Sequence, residues 1–150
     1  MPKRVDKINY YLDIAETVSE RGTCLRKDYG CIIVKNDEII STGYSGAPRG
    51  RTNCIDLGYC IKKKLYPDVH HGGHDACRSV HAEQNAIISA ARKDTGKYEE
   101  GAMCCQTCRK LIINAGIEKV FVRINKRKYL EVNVEEWINN DELLNGIATY

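Results

Sequence analysis

Between residues 8 and 21 the apolar side chains Ile8, Tyr11, Leu12, Ala15 and Val18 recur at the spacing of one helix face, and Gly22 is a residue type that ends helices. The pattern predicts a helix over 8–21. The period then changes. Residues 29–34, YGCIIV, and 38–43, EIISTG, are rich in β-branched side chains and flank the polar KND, which predicts a hairpin of two antiparallel strands. From Tyr44 to Cys77 no period holds. Gly46, Pro48, Gly50, Gly58, Pro67, Gly72 and Gly73 break the segment up among scattered Cys and His. A loop of this length with no apolar core of its own needs a function or a cross-link. Residues 79–92, SVHAEQNAIISAAR, predict a helix with Val80, Ala86, Ile87 and Ala90 or Ala91 toward one side and Ser79 as N-cap. A further helix is predicted over 105–115, ended by Gly116. EKVFVRI (118–124) predicts a buried strand, and Val134 to Leu144, with Trp137 and Ile138, a last helix. This order predicts helices packed on a mixed sheet, an α/β fold.

Composition narrows the class. A chain of 150 residues fits one domain, 1–150, and 43% hydrophobic with 29% charged residues fits a soluble globular protein. No apolar run approaches the roughly 18 residues of a membrane span, so no membrane partner is expected. The start, MPKRVDKINYYLDIAE, has no apolar secretory core, so a cytoplasmic location is expected. A net charge of +3 is too small to argue for nucleic acid. Eight cysteines are many for such a chain. In a reducing compartment, clustered Cys beside His points to metal more than to disulfides. Cys31, inside YGCIIV, is expected to be a small buried hydrophobe.

The sharpest chemical signal is His81-Ala82-Glu83 opening one predicted helix and Cys105-x-x-Cys108 opening another. Two sulfurs at that spacing converge on one tetrahedral metal, and helix N-terminal N–H groups favour thiolate. One His and two Cys leave a fourth position for water, the open coordination of a catalytic zinc. Glu83 lies about 200° around an ideal helix from His81, but at the first turn it can lean over the metal and carry protons. A histidine followed by glutamate, with Cys-x-x-Cys downstream, is the general pattern of zinc nucleobase deaminases.

With these motifs the chain resembles the deoxycytidylate (dCMP) deaminase family of the cytidine deaminase superfamily over about residues 8–124. RGTCLRKDYG (21–30), STGYSGAPRG (41–50), CRSVHAEQNAI (77–87) and CRKLIINAGIEKV (108–120) carry the resemblance. It implies the three-layer cytidine deaminase-like fold, a mixed β-sheet flanked by helices. It implies zinc held by His81, Cys105 and Cys108, Glu83 as proton shuttle, and hydrolysis of dCMP to dUMP and ammonia. Arg26, Gly43, Tyr44, Gly46 and Arg49 are the implied nucleotide contacts. Regulation by dCTP and dTTP, often with Mg2+, and a homo-oligomer, typically a hexamer, are also implied. A second, structural zinc is implied at Cys24 and Cys54 with Cys60 and Cys77 as partners, and His70, His71 and His74 offer substitute ligands. Other readings are a related deaminase acting on cytidine, guanine or adenosine in tRNA, or a non-catalytic zinc or nucleotide-binding module. NKRKY (125–129) is too short a basic run to favour tRNA.

The sequence departs from the family pattern at three places. Cys104 stands where a proline usually precedes the first zinc cysteine. Ser45 stands where many relatives have Asn, which bears on the sugar contact. Between Arg92 and Cys105 the family places an apolar central strand, but KDTGKYEEGAMC holds poor strand formers. The strand between the two zinc helices is therefore expected to be reduced or missing. A dozen linking residues, at ~3.3 Å each, still reach back along a helix of ~20 Å.

Overall fold

The computed structural model describes residues 3–68, 77–90, 98–100 and 105–140. Helix α1 (Lys7–Ser19) leads into the hairpin β1 (Gly30–Lys35) and β2 (Glu38–Tyr44). Two short helices follow, α2 (Cys54–Leu57) and α3 (Ile61–Leu65), then α4 (Ala82–Ala90), β3 (Tyr98–Glu100), α5 (Gln106–Asn114), β4 (Lys119–Asn125), β5 (Lys128–Asn133) and α6 (Val134–Asn139). The five strands form one sheet in the order β2-β1-β3-β4-β5. β3 runs parallel to β4 and antiparallel to β1, so the sheet is mixed as expected.

Strand β1 is buried on both faces and shows how the layers arise. Its alternate residues Ile32 and Val34 join Tyr11 and Ala15 of α1, while Cys31 and Ile33 join Ala82, Ala86 and Ala90 of α4. Successive side chains of a strand point to opposite faces, so α1 and α4 cover opposite sides of the sheet. A third cluster packs Cys108 and Ile112 of α5 against Val120, Val122 and Val132. The result is helix, sheet, helix, with α4 and α5 on one side and α1 on the other. The Cys31 side chain is fully buried, as its apolar run predicts.

The expected central strand is present in reduced form. Three residues, Tyr98–Glu100, occupy the middle of the sheet, with Glu99 and Glu100 opposite Val122 and Arg123 of β4. Backbone pairing to both neighbours is independent of side-chain preference, which is how poor strand formers hold that place. Arg123 is itself buried and reaches α1. It donates to Asp13 Oδ1 at 2.7 Å, Glu16 Oε2 at 2.8 Å and the Asn9 carbonyl at 3.1 Å. That polar clamp fastens α1 to β4 across the short strand.

Several boundaries differ from the pattern-based expectation. The hairpin turn is the two residues Asn36 and Asp37, with φ of 51° and 63°, the conformation that matches strand twist. α1 ends at Ser19 with Glu20 as C-cap, before Gly22. α4 begins at Ala82, so Ser79 is not its N-cap, because Val80 is extended in an antiparallel bridge with Gly46. The irregular segment contains α2 and α3, and NKRKY turns into β5, an edge strand that pairs with β4. α6 spans Val134–Asn139; the predicted continuation to Leu144 lies outside the described residues. No helix among the described residues is long and apolar enough to cross a membrane.

Candidate metal centre and active site

Two helix N-caps build the site. The His81 carbonyl accepts the first helical bond of α4, from Asn85 N at 3.0 Å, and the His81 N–H donates to Gln84 Oε1 at 2.9 Å. That is one half of a capping box, with His81 at the N-cap and the Gln84 side chain reaching back to it. Cys105 is the N-cap of α5, and its Sγ accepts from Cys108 N at 3.4 Å. Both helices thus aim their positive ends at the cluster.

The three side chains converge. His81 Nδ1 lies 3.6 Å from Cys105 Sγ and 3.3 Å from Cys108 Sγ, and all three ligand atoms are within 4.8 Å of one another. A tetrahedral zinc with Zn–S near ~2.3 Å and Zn–N near ~2.05 Å would set N···S at about 3.6 Å. The observed pair of distances therefore fits a zinc ion bound through Nδ1. Cys108 is fully buried and Cys105 partly so, giving the cluster one enclosed and one more open side. Glu83, in the first turn of α4, is only 6% exposed. A carboxylate is rarely withdrawn this far from water without a partner or a role.

The glycine-rich segment meets α4 directly. The Gly46 N–H donates to the Val80 carbonyl at 3.2 Å, and Val80 N–H to the Gly46 carbonyl at 2.7 Å. Gly43 lies in β2 where a Cβ would strike the Ala82 carbonyl oxygen and Ala86 N, with Ala86 Cα at 3.0 Å. Its missing side chain serves the approach of α4 to the sheet. Tyr44 is half-exposed beside it, and its carbonyl accepts from Asn85. Ser45 is buried with its Oγ accepting from Tyr29 N at 3.1 Å, so the hydroxyl is used within the fold. Arg26 and Arg49 are exposed, and among the described residues no hydrogen bond or ion pair joins either to the His81 cluster.

The remaining cysteines gather at the junction between α1 and β1. The Ile55 N–H donates to the Thr23 carbonyl at 3.2 Å, which brings α2 with Cys54 to the residue preceding Cys24. Burial pushes the Cys54 thiol pKa up, the Ser79 hydroxyl pulls it the other way, and Cys24, Cys60 and Cys77 each raise it further by charge repulsion. Among the described residues only His81, Cys105 and Cys108 form a set of three with ligand atoms within 4.8 Å. The four cysteines are neighbours without that tight convergence. Cys104, His70, His71 and His74 lie outside the described residues.

Residues 5–124 match the family model described as the cytidine and deoxycytidylate deaminase zinc-binding region. The chain belongs to this family. The deoxycytidylate deaminase of Mycobacterium phage D29 is 34% identical over 121 residues, covering 78% of this chain and 94% of that protein. The deoxycytidylate deaminase of Schizosaccharomyces pombe is 30% identical over 115 residues. The alignment covers 77% of this chain but only 34% of the yeast protein, so the chain spans about a third of that relative. The crystal structure of dCMP deaminase from cyanophage S-TIM5 in complex with dCMP and dUMP superposes with a TM-score of 0.57 at 28% identity, covering 81% of this chain and 84% of that one.

Within this deaminase-family site, sequence reasoning located the His81, Cys105 and Cys108 cluster and missed the hydrogen bonds around it. Gln84 caps His81, Asn85 Nδ2 donates to the Tyr44 carbonyl at 2.8 Å, and Ser41 Oγ donates to the Ala86 carbonyl at 2.7 Å. Only Gln84 left a local signal, three residues after the N-cap. The other two join segments more than forty positions apart and leave none.

Proposed function

We propose that the chain hydrolyses dCMP to dUMP and ammonia, with zinc held by His81, Cys105 and Cys108 and with Glu83 as proton carrier. The observation that carries this reading is the approach of His81 Nδ1 to both sulfurs, at 3.3 and 3.6 Å, two residues before the buried Glu83. Similarity to a phage deoxycytidylate deaminase along nearly that protein's whole length supports dCMP over other substrates. When bound, zinc supplies Lewis acidity that lets water act as a nucleophile at neutral pH. Glu83 takes a proton from the water as its oxygen adds to C4 and passes it to ring N3, then takes the second proton from the C4 hydroxyl and delivers it to the departing amine. One water enters and one ammonia leaves. Tyr44 and Gly46 line the nucleotide side, and Arg49 and Arg26 supply cations for the phosphate.

The resemblance extends the proposal to activation by dCTP and inhibition by dTTP with Mg2+, to a homo-hexamer, and to a second zinc at Cys24, Cys54, Cys60 and Cys77. Metal analysis separates one zinc per chain from two. The deciding experiment is ammonia release by zinc-loaded protein from dCMP, dCTP, cytidine, guanine and a tRNA anticodon stem-loop. Turnover of dCMP above the others is expected. No turnover of any of these, with or without dCTP, would establish a non-catalytic module, and preference for another base would establish a related deaminase.

A further inference from the structure

The peptide bond between Val80 and His81 is held at both ends. Its carbonyl oxygen accepts from Gly46 N at 3.2 Å and from Asn85 Nδ2 at 3.4 Å. Its N–H donates to Gln84 Oε1 at 2.9 Å. The same Asn85 amide nitrogen donates to the Tyr44 carbonyl at 2.8 Å. One side chain with two N–H donors thus joins the last residue of β2 to the peptide that delivers a metal ligand.

We infer that Asn85 is a positioning residue that couples the nucleotide segment Tyr44–Gly46 to the orientation of His81, an inference that rests on the zinc and nucleotide roles proposed above. Rotation of the Val80–His81 peptide would swing the imidazole relative to Cys105 and Cys108. Fixing both its polar atoms removes that freedom before metal arrives. Displacement of the Tyr44 carbonyl by a nucleotide is transmitted through the amide to the same peptide.

Ser41 provides the control. Its hydroxyl joins the same strand and helix through Ala86, but touches neither end of the Val80–His81 peptide. The test measures zinc affinity by competition with a chromophoric chelator, folding by circular dichroism, and KM and kcat for dCMP. Asn85→Ala is expected to weaken zinc about tenfold, the lower end of what outer-shell changes cost, and to raise KM for dCMP. Asn85→Asp, which points a carboxylate at two carbonyls, is expected to weaken zinc further. Gln84→Ala frees the other end of the peptide from a half-buried position and is expected to match Asn85→Ala in zinc affinity with a smaller change in KM. Ser41→Ala is expected to stay within about twofold of the parent on both measures. Parental zinc affinity in folded Asn85→Ala or Gln84→Ala overturns the inference, and so does an equal loss in Ser41→Ala, which would make the effect one of general packing. If the parent protein fails to turn over dCMP, the substrate assignment falls and the zinc comparison still decides the role of the amide.

Discussion

Replacing Gly43 by alanine tests whether the metal site depends on how closely α4 lies against β2. The added Cβ would sit 3.0 Å from Ala86 Cα, against ordinary carbon contacts of ~3.5–4.0 Å. It would press harder still on the Ala82 carbonyl oxygen and Ala86 N. All three atoms are backbone, so no side chain can rotate away and the helix must retreat by about 0.5–1 Å. Overpacking of this kind costs about 1–3 kcal/mol. A retreat also stretches the Ser41–Ala86 and Asn85–Tyr44 bonds, 2.7 and 2.8 Å long, each contributing about 0.5–1.5 kcal/mol. A total of about 2–6 kcal/mol lowers Tm by about 4–24 °C in a domain of this size.

The same displacement carries His81 away from Cys105 and Cys108. Metal–ligand distances tolerate about ±0.2 Å, so zinc affinity should fall more than tenfold. Thermal melts with and without zinc, together with chelator competition, read both effects. Gly50→Ala is the comparison, since Gly50 has φ of 83° with nothing within 4 Å of its Cβ position. That change strains one loop residue and should leave zinc affinity unaltered. A Gly43→Ala protein with a Tm within about 2 °C of the parent and unchanged zinc affinity would refute the claim that close helix–strand approach sets the ligand geometry.

Other consequences can be checked on the same protein. Glu83→Gln should lower kcat for dCMP by about 10²–10⁴-fold while zinc content stays at the parental value. Cys108→Ser removes a buried ligand, and added zinc should no longer raise Tm by the mass-action increment seen in the parent. Arg123 beside Asp13 is the first cause holding that carboxyl below its usual pKa, opposed by partial desolvation. A depressed folded-state pKa contributes stability that is present above the unfolded value, ~3.9, and lost as pH falls through the folded one. Asp13→Asn should therefore melt below the parent at pH 7, and the gap should close as the pH falls through and below 4, as followed by thermal denaturation. A gap that stays constant to pH 2.5 would show that the ionised Asp13–Arg123 pair does not stabilise the fold.

The His81, Cys105 and Cys108 cluster was legible because its residues lie at or near helix starts, which leave local marks. His81 and Cys105 are both N-caps, and Cys108 follows one turn into α5. The hairpin was legible for a similar reason, since KND and its β-branched flanks sit within one short window. β5 was not. Of its six residues only Val132 is buried, so no alternating pattern marks it, and its pairing is decided by the neighbouring β4. α2 and α3, of four and five residues, are shorter than the window in which a 3.6-residue period can be read. Ser45 stands in place of the family's Asn, and the bond it makes, accepting from Tyr29 N sixteen positions away, has no local mark in the sequence.

The reduced central strand shows why a weak segment need not dismantle the site. β3 aligns only two residues with β1 and two with β4, a small share of the sheet's pairing. The halves on either side must then be joined by other contacts. Ile87 of α4 packs against both the α5–β4 cluster and the β1–α4 cluster, bridging them on the site's face of the sheet. On the opposite face Arg123 of β4 is tied to Asp13, Glu16 and Asn9 of α1, and α1 packs on β1. Each face therefore spans the short strand with side chains rather than backbone ladder. Helix α4 carries His81 at its start and Ile87 in its body, so the element that brings His81 to the cluster is also one that joins the two halves. Its contact with β2 through Gly43 and Asn85 then fixes the whole set, and a sheet with a three-residue centre can still hold an N/S/S cluster at zinc-binding distances.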